Sequence, residues 1–172
     1  MKKNKGFSLV ELIIVIAIMA ILAAAIAPAL IRYIDKSRRA DDVTAAGSIN
    51  SAMSAALANE AAYDEVMNAG DNVVLLYAKA GATTWTSTGS YTHLETEMNS
   101  SQTPPKIKYR KKVESSDTAA TLGGTSTTLN QPDGWAVAIS GGRPIVYITD
   151  DPNGSTPSDG IMLQPSINDE YK

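Results

Sequence analysis

One carboxylate stands at the edge of a long apolar run near the start of the chain. From Phe7 to Ile31 the only ionisable side chain is Glu11, and residues 12–31 form an uncharged run rich in Ile, Ala and Leu. An ionised carboxylate costs ~2.5–3.5 kcal/mol at the centre of a membrane-spanning helix and less toward its ends. We therefore expect Glu11 to serve a function and to have a charged partner.

A second candidate site is the Gly6-Phe7 junction, where the chain could be cut by a peptidase. It follows three lysines at positions 2, 3 and 5. An ordinary secretory signal is cut after its apolar region, at small residues arranged like A-x-A. Cutting at Gly6-Phe7 would instead remove the lysines and keep the apolar helix. The positive-inside rule keeps the lysines cytoplasmic and places the rest of the chain on the outer side.

These residues must be positioned by a helix. The apolar run extends about 30 Å as a helix, enough to cross a hydrocarbon core. Pro28 lies inside the run and predicts a kink or a loosened turn. Beyond the run, apolar residues keep returning to one helix face, namely Ile34, Val43, Ile49, Met53 and Leu57. The pattern predicts one long helix from about Phe7 to about Asn59, extending at most to Met67.

This combination resembles the type IV pilin and pseudopilin family at Gly6, Phe7, Glu11, the apolar run and Pro28. The resemblance implies that a prepilin peptidase cleaves after Gly6 and methylates the new amino group of Phe7. Glu11 would pair with the Phe7 amine of a neighbouring subunit, and Pro28 would let the helix deform as subunits bundle. It further implies a polymer with itself and related pilins, built by a membrane assembly platform with a cytoplasmic ATPase.

The expected organisation has three parts. Residues 1–6 form a leader removed on maturation, residues 7–31 the membrane-spanning and filament-core helix, and residues 32–172 an extracytoplasmic head. The precursor would be a single-pass inner-membrane protein with its leader in the cytoplasm. The mature form would lie in an extracellular or periplasmic filament.

Composition restricts the function of the head. The chain carries 15 Lys and Arg against 18 Asp and Glu, and removal of the three leader lysines leaves 12 against 18. This acidic balance makes nucleic acid an unlikely partner. Cysteine is absent, so the head lacks the C-terminal disulfide of many pilins and needs another restraint.

The remaining sequence predicts an α+β head, a small antiparallel sheet of three or four strands packed on the second half of the helix. Its clearest part is a hairpin of residues 135–140 and 144–149 joined by Gly141-Gly142. One strand face would pack on the helix through Trp135, Val137 and Ile139.

Other segments of the head give weaker signals. Residues 73–77 could form helix or strand, and residues 82–92 predict a loop. Residues 106–113 alternate like a strand with a basic face of Lys106, Lys108, Arg110 and Lys112. Residues 115–131 are polar and predict an exposed loop.

No side-chain set predicts an enzyme. His93 is the only histidine, no cysteine is present, and no serine is marked as a nucleophile, so we expect an exposed loop histidine and no catalytic residues. No cofactor is expected, apart from a weak calcium hypothesis at Asp150, Asp151, Asn153 and Asp159. Turn chemistry explains the same four residues.

The basic segment and the filament's use remain open. The basic face could be solvated, contact Asp41, Asp42 or Asp150 of the next subunit, or bind DNA. The filament could be a surface pilus for adhesion, motility or biofilm, which the polar loop favours. It could instead be a type II secretion pseudopilus, which the missing disulfide and acidic tail would suit, or a DNA-uptake filament. A signal-anchored membrane enzyme is the remote alternative.

Overall fold

The computed structural model describes residues 6–69, 73–122, 126–150 and 159–172. The chain divides between Ser37 and Arg38 into two compact units. The helix α1, Leu9–Ala56, begins in the first unit and supplies the helical layer of the second.

The predicted long helix is confirmed, with a different end. Pro28 lies inside α1 without ending it. The chain turns at residues 57–59 and a separate helix, α2, covers Glu60–Met67. The break is set by Asn59, whose side chain accepts hydrogen bonds from the N–H groups of Ala61 and Ala62 and so caps α2.

The head is built on an antiparallel sheet. Its strands are β1 (Val73–Lys79), β2 (Thr86–Ser87), β4 (Thr121–Leu122), β6 (Gly134–Ser140), β7 (Arg143–Thr149) and β8 (Gly160–Gln164), in the order β2-β1-β6-β7-β8-β4. A second sheet pairs β3 (Val113–Ser115) with β5 (Thr127–Leu129), and a third helix, α3, covers Thr92–Ser101. The predicted α+β class is confirmed, but the prediction of three or four strands was wrong, because two-residue strands extend the sheet at both edges.

The predicted hairpin is confirmed as β6 and β7. Gly141 and Gly142 form its turn with φ angles of 56° and 74°, values that favour glycine because it has no Cβ. The register pairs Ser140 with Arg143 and Trp135 with Ile148. Residues 73–77, left open between helix and strand, belong to β1.

The main core lies between α1 and one face of the sheet. Trp135, Val137 and Ile139 of β6 are buried there, as predicted, in one cluster with Ile49 and Met53 of α1. Burial of each large apolar side chain contributes about 1.5–3 kcal/mol. The other sheet face has its own buried cluster, which includes Val74, Ala138, Ile145 and Tyr147.

Two segments differ from their predictions. Within residues 106–113 only Val113 belongs to a strand, although Ile107 and Tyr109 are buried and their neighbours exposed, as the alternation indicates. Residues 115–131 are not an exposed loop, because β4, β5 and a 3₁₀ turn at Thr118–Ala120 lie within them. Leu122 and Leu129 of that segment are buried.

The predicted loop at residues 82–92 is also more ordered than expected. It contains β2, and Trp85 is fully buried. The Asn99 side chain accepts from the Trp85 N–H and donates to the Trp85 carbonyl, which replaces a strand partner for that residue.

Candidate functional site

Gly6, Phe7 and Ser8 precede the first turn of α1. A Cβ added at Gly6 would meet no atom within 4 Å, and Phe7 is 85% exposed. Within the described ranges, therefore, no atom obstructs the junction predicted for cleavage. Its assignment as a processing site stays a prediction.

Glu11 lies in the first turn of α1 and contacts the start of its own helix. The Ser8 N–H donates to Glu11 Oε2 over 2.9 Å. This is half of a capping box, in which a side chain three residues into the helix satisfies the N–H of the capping residue. The positive end of the helix dipole also favours a carboxylate there. Among the described residues, Glu11 Oε1 accepts no hydrogen bond, so it is available to a cation from outside the chain.

Among the described residues, none covers the apolar half of α1. From Phe7 to Ile34 its large hydrophobic side chains are between 41% and 85% exposed. In the described part of the chain, α1 is the one helix long and apolar enough to cross a membrane. Such a surface is stable only against lipid or other apolar helices.

The basic segment forms ion pairs within its own chain. Lys108 lies 3.9 Å from Asp41, Arg110 lies 2.9 Å from Asp133, and Lys112 pairs with Glu114. Lys106 is exposed. These contacts occupy most of the predicted basic face and one of the acidic groups expected to meet it from a neighbouring subunit.

Asp42 has a structural role. Its carboxylate is fully buried and accepts the N–H groups of Lys108 and Tyr109 over 2.7 and 2.9 Å. Burial raises the pKa of Asp42 to about 6 against the lowering effect of those two hydrogen bonds. Of the three acids suggested as contacts for the basic face on a neighbouring subunit, Asp42 is therefore excluded, because its buried carboxylate replaces a strand partner for residues 108 and 109.

Sequence reasoning missed a cluster that fastens the C-terminal segment to α1. Arg39 donates to the Glu170 carbonyl and, over 2.9 Å, to the Tyr109 hydroxyl. Its guanidinium carbon lies 4.4 Å from the Tyr109 ring centroid and 5.8 Å from that of Tyr171. We call Arg39, Asp42, Tyr109 and Tyr171 the C-terminal clasp. It provides a restraint that a cysteine-free head requires.

The calcium hypothesis is tested only in part by the described residues. Asp151 and Asn153 lie outside them. The Asp150 carboxylate accepts the Asn130 N–H over 2.9 Å, and Asp159 is exposed. Within the described ranges no three His, Cys, Asp or Glu side chains come together as a metal site. Calcium therefore remains a prediction.

His93 is exposed, as predicted, but it lies in the first turn of α3 and not in a loop. Its Nδ1 is 2.7 Å from Glu65 of α2, and that carboxylate also accepts the N–H groups of His93 and Leu94. Burial would raise the pKa of Glu65, but these hydrogen bonds lower it below its usual value. The pair fastens α2 to the start of α3, which explains the histidine without catalysis.

The comparison with known families agrees with the N-terminal geometry. Residues 1–27 match the profile of the prokaryotic N-terminal methylation motif. The chain carries the type IV pilin and pseudopilin signature. Its long N-terminal helix and antiparallel sheet form a pilin-like α+β arrangement. No solved structure matches the chain closely enough to be compared with it.

Proposed function

We propose that this chain is a subunit of a type IV pilus-like filament, cleaved after Gly6, N-methylated at Phe7 and polymerised through its N-terminal helix. The observation that carries the proposal is the match of residues 1–27 to the methylation motif. The exposed apolar half of α1 supports it, because that surface needs either a bilayer or a bundle of other helices. Proteins with this signature are generally structural.

The assembly step rests on Glu11 and the new amine of Phe7. A carboxylate or an ammonium alone is costly in an apolar core, and the two become tolerable as a pair. One Glu11 oxygen accepts a hydrogen bond from the Ser8 N–H, and the other accepts none from the described residues. Pairing of that oxygen with the Phe7 amine of a neighbour would set the axial register of the added subunit.

Pro28 and the alanines around it would serve the packing of the filament core. Pro28 cannot donate a hydrogen bond to α1 and weakens one turn. Its neighbours at positions 23–25, 27 and 29 are all alanine, and small residues let helices approach closely. A helix that deforms here can pass from the bilayer into the bundle without breaking many hydrogen bonds.

Two features of the head bear on which kind of filament the chain builds. The argument for a surface pilus from an exposed loop at residues 115–131 is lost, because that segment is folded into the head. DNA uptake loses support as well, since most of the basic segment is paired with Asp41, Asp133 and Glu114. A surface pilus for adhesion, motility or biofilm stays a proposed use, and the fractionation described below separates it from the alternative. A secretion pseudopilus is the alternative, favoured by the absence of cysteine.

N-terminal mass spectrometry on material sheared from cells and on washed membranes tests the proposal. We expect a peptide beginning at methylated Phe7 in both fractions. Enrichment in the sheared fraction supports a surface pilus, and confinement to membranes moves the assignment to a pseudopilus. An intact Met1 leader in both fractions would contradict filament assembly and indicate a signal-anchored protein.

A further inference from the structure

The outward face of α2 combines two acids with two apolar side chains. Glu60, Tyr63, Asp64 and Met67 lie within about 100° of one another around the helix axis, because a helix turns about 100° per residue. Ala62 and Val66 occupy the opposite, buried face. Tyr63 and Met67 are 46% and 49% exposed. We call Glu60, Tyr63, Asp64 and Met67 the α2 face.

The acids of the α2 face differ from the other acids around them. The Glu65 carboxylate accepts N–H groups from the first turn of α3, and the Glu97 carboxylate accepts a hydrogen bond from the Asn59 side chain over 2.9 Å. Glu60 and Asp64 are exposed, and no ion pair among the described residues involves either. Glu60 also lies in the first turn of α2, where the helix dipole favours a carboxylate, but this leaves the oxygens of both acids available to a partner.

A surface of opposite charge lies on α1. Arg32 and Lys36 are four residues apart, the same spacing as Glu60 and Asp64, and both are exposed. Tyr33 falls within the same 100° arc and is 75% exposed. Within the described ranges neither Arg32 nor Lys36 forms an ion pair, whereas Asp35, which lies between them in the sequence, does interact with another group. We call Arg32, Tyr33 and Lys36 the α1 basic face.

We propose that the α1 basic face of one subunit docks on the α2 face of a second copy of this chain. The two faces are complementary: each has two like charges one helical turn apart and an exposed tyrosine beside them, and the charges are opposite in sign. The contact joins different surfaces of identical chains, and contacts of that type build closed rings when the rotation closes and open helical filaments when it does not. The inference rests on the proposed filament function and names one of its contacts.

The contact specifies register more than it drives assembly. An exposed ion pair contributes ~0.2–1 kcal/mol, which is small beside burial of the apolar half of α1. Like charges brought together in a wrong register are disfavoured, which suppresses other arrangements of the same surfaces. The contact repeats at every subunit, so a small preference per subunit selects one helical arrangement.

The cysteine-free chain permits a direct test by crosslinking. The full chain is produced in cells with Tyr33→Cys and Tyr63→Cys together, and membranes and sheared material are treated with a short bis-maleimide. A contact between unlike faces predicts a ladder of trimers and larger species. Each single variant has one thiol per subunit and stops at the dimer. Added salt should shorten the ladder, because it screens exposed charges.

Three comparisons keep the result specific. Arg38→Cys with Tyr63→Cys places the first thiol on another side of α1, and we expect a yield of trimers and larger species about tenfold lower. In the chain with Tyr33→Cys and Tyr63→Cys, adding Glu60→Lys and Asp64→Lys should lower the yield of trimers and larger species to the same extent. Adding Arg32→Glu and Lys36→Glu as well should restore that yield. Glu114→Lys with Asp169→Lys, which changes net charge equally, should leave it unchanged.

A ladder no stronger than that of the Arg38→Cys control overturns the docking proposal. So does a ladder that the acidic reversal leaves intact. A separate measurement reports failure of the filament proposal: the N-terminal peptide of the same samples would then begin at Met1. Processing at Phe7 without a specific ladder would leave the filament function standing and remove only this contact.

Discussion

Residues 7–37 and residues 38–172 have opposite relations between sequence and surface. In the first segment the large hydrophobic side chains are exposed, from 85% at Phe7 to 41% at Ile34. In the second, Trp85, Trp135, Ile49 and Met53 are fully buried. The first segment therefore needs partners outside the chain, whereas the second contains its own core. The buried core therefore lies in the second segment, and the apolar surface left for lipid or other helices lies in the first.

The largest effect on the N-terminal segment is expected from Gly6→Val. A Cβ added at Gly6 meets no atom of the described residues within 4 Å, and Gly6 lies outside the head, so the head should keep its stability. We expect nearly complete loss of cleavage, because the peptidase must accommodate the residue before Phe7. The measurement is the N-terminal peptide of membrane material, with Ser8→Ala as the matched control. Normal maturation of the valine variant would remove the assigned junction.

The converse change is Trp135→Ala in the head. Trp135 is fully buried and donates from Nε1 to the Pro105 carbonyl over 2.8 Å. Its loss should lower the free energy of unfolding by about 3–5 kcal/mol, as for other buried tryptophans. Urea unfolding of the full chain in detergent, followed by Trp85 fluorescence, measures this. Cleavage after Gly6 should continue, and an equal loss in the exposed-site control Tyr33→Ala would contradict the account.

The stability of the head is expected to depend on pH through Asp42. The pKa of Asp42 is raised to about 6 in the folded chain from 3.8, so the fold prefers the protonated carboxyl. That contribution is fully present below pH 3.8 and is lost as pH rises through about 6. It corresponds to about 3 kcal/mol, at ~1.4 kcal/mol per pH unit.

Asp42→Asn removes this titration. Between pH 5 and pH 7 we expect the wild-type chain to lose about 1.4 kcal/mol of stability, the part of this contribution that falls between pH 5 and about 6, and the variant to show a much smaller slope. The pKa of Glu65 is lowered, so its contribution is lost only at more acidic pH and does not interfere. Urea unfolding at the two pH values is the measurement, and equal slopes in both chains would refute the role given to Asp42.

A smaller effect is expected from Arg39→Met, which keeps the stem of the side chain and removes the guanidinium. The variant loses the bonds to Glu170 and Tyr109 and the contact with both rings. A decrease of about 2 kcal/mol in the free energy of unfolding follows from those losses. Arg38→Met, at an exposed neighbour, should change it by less than about 0.5 kcal/mol. Equal effects of the two variants would mean that the clasp does not restrain the C-terminus.

The N-terminal segment could be predicted from sequence because its signals are local. Gly6, Phe7 and Glu11 lie within six positions, and the apolar run follows them directly. The β6–β7 hairpin was predictable for the same reason, since Gly141-Gly142 joins adjacent strands. Short-range chemistry of this kind leaves a pattern in the sequence.

The rest of the head depends on partners far apart in the chain. Asp42 serves residues 66 and 67 positions away, and Arg39 bonds to a carbonyl 131 positions away. No local pattern marks those pairs. Residues 115–131 seemed exposed because they are polar, yet the Ser115 hydroxyl accepts from the buried Asn168 side chain over 2.8 Å. Satisfied hydroxyls allow a polar segment to fold into the head.

The most direct test of the division between assembly and folding is a mixture of wild-type and Glu11→Gln chains in the same cells. Glutamine can still accept the Ser8 N–H, so the substitution removes the charge and keeps the cap. We predict that both chains begin at Phe7 in membranes, while the variant is depleted more than tenfold from sheared filaments. An unpaired buried ammonium costs about 3–5 kcal/mol, enough for that depletion. Equal ratios of the two N-terminal peptides in both fractions would contradict the account.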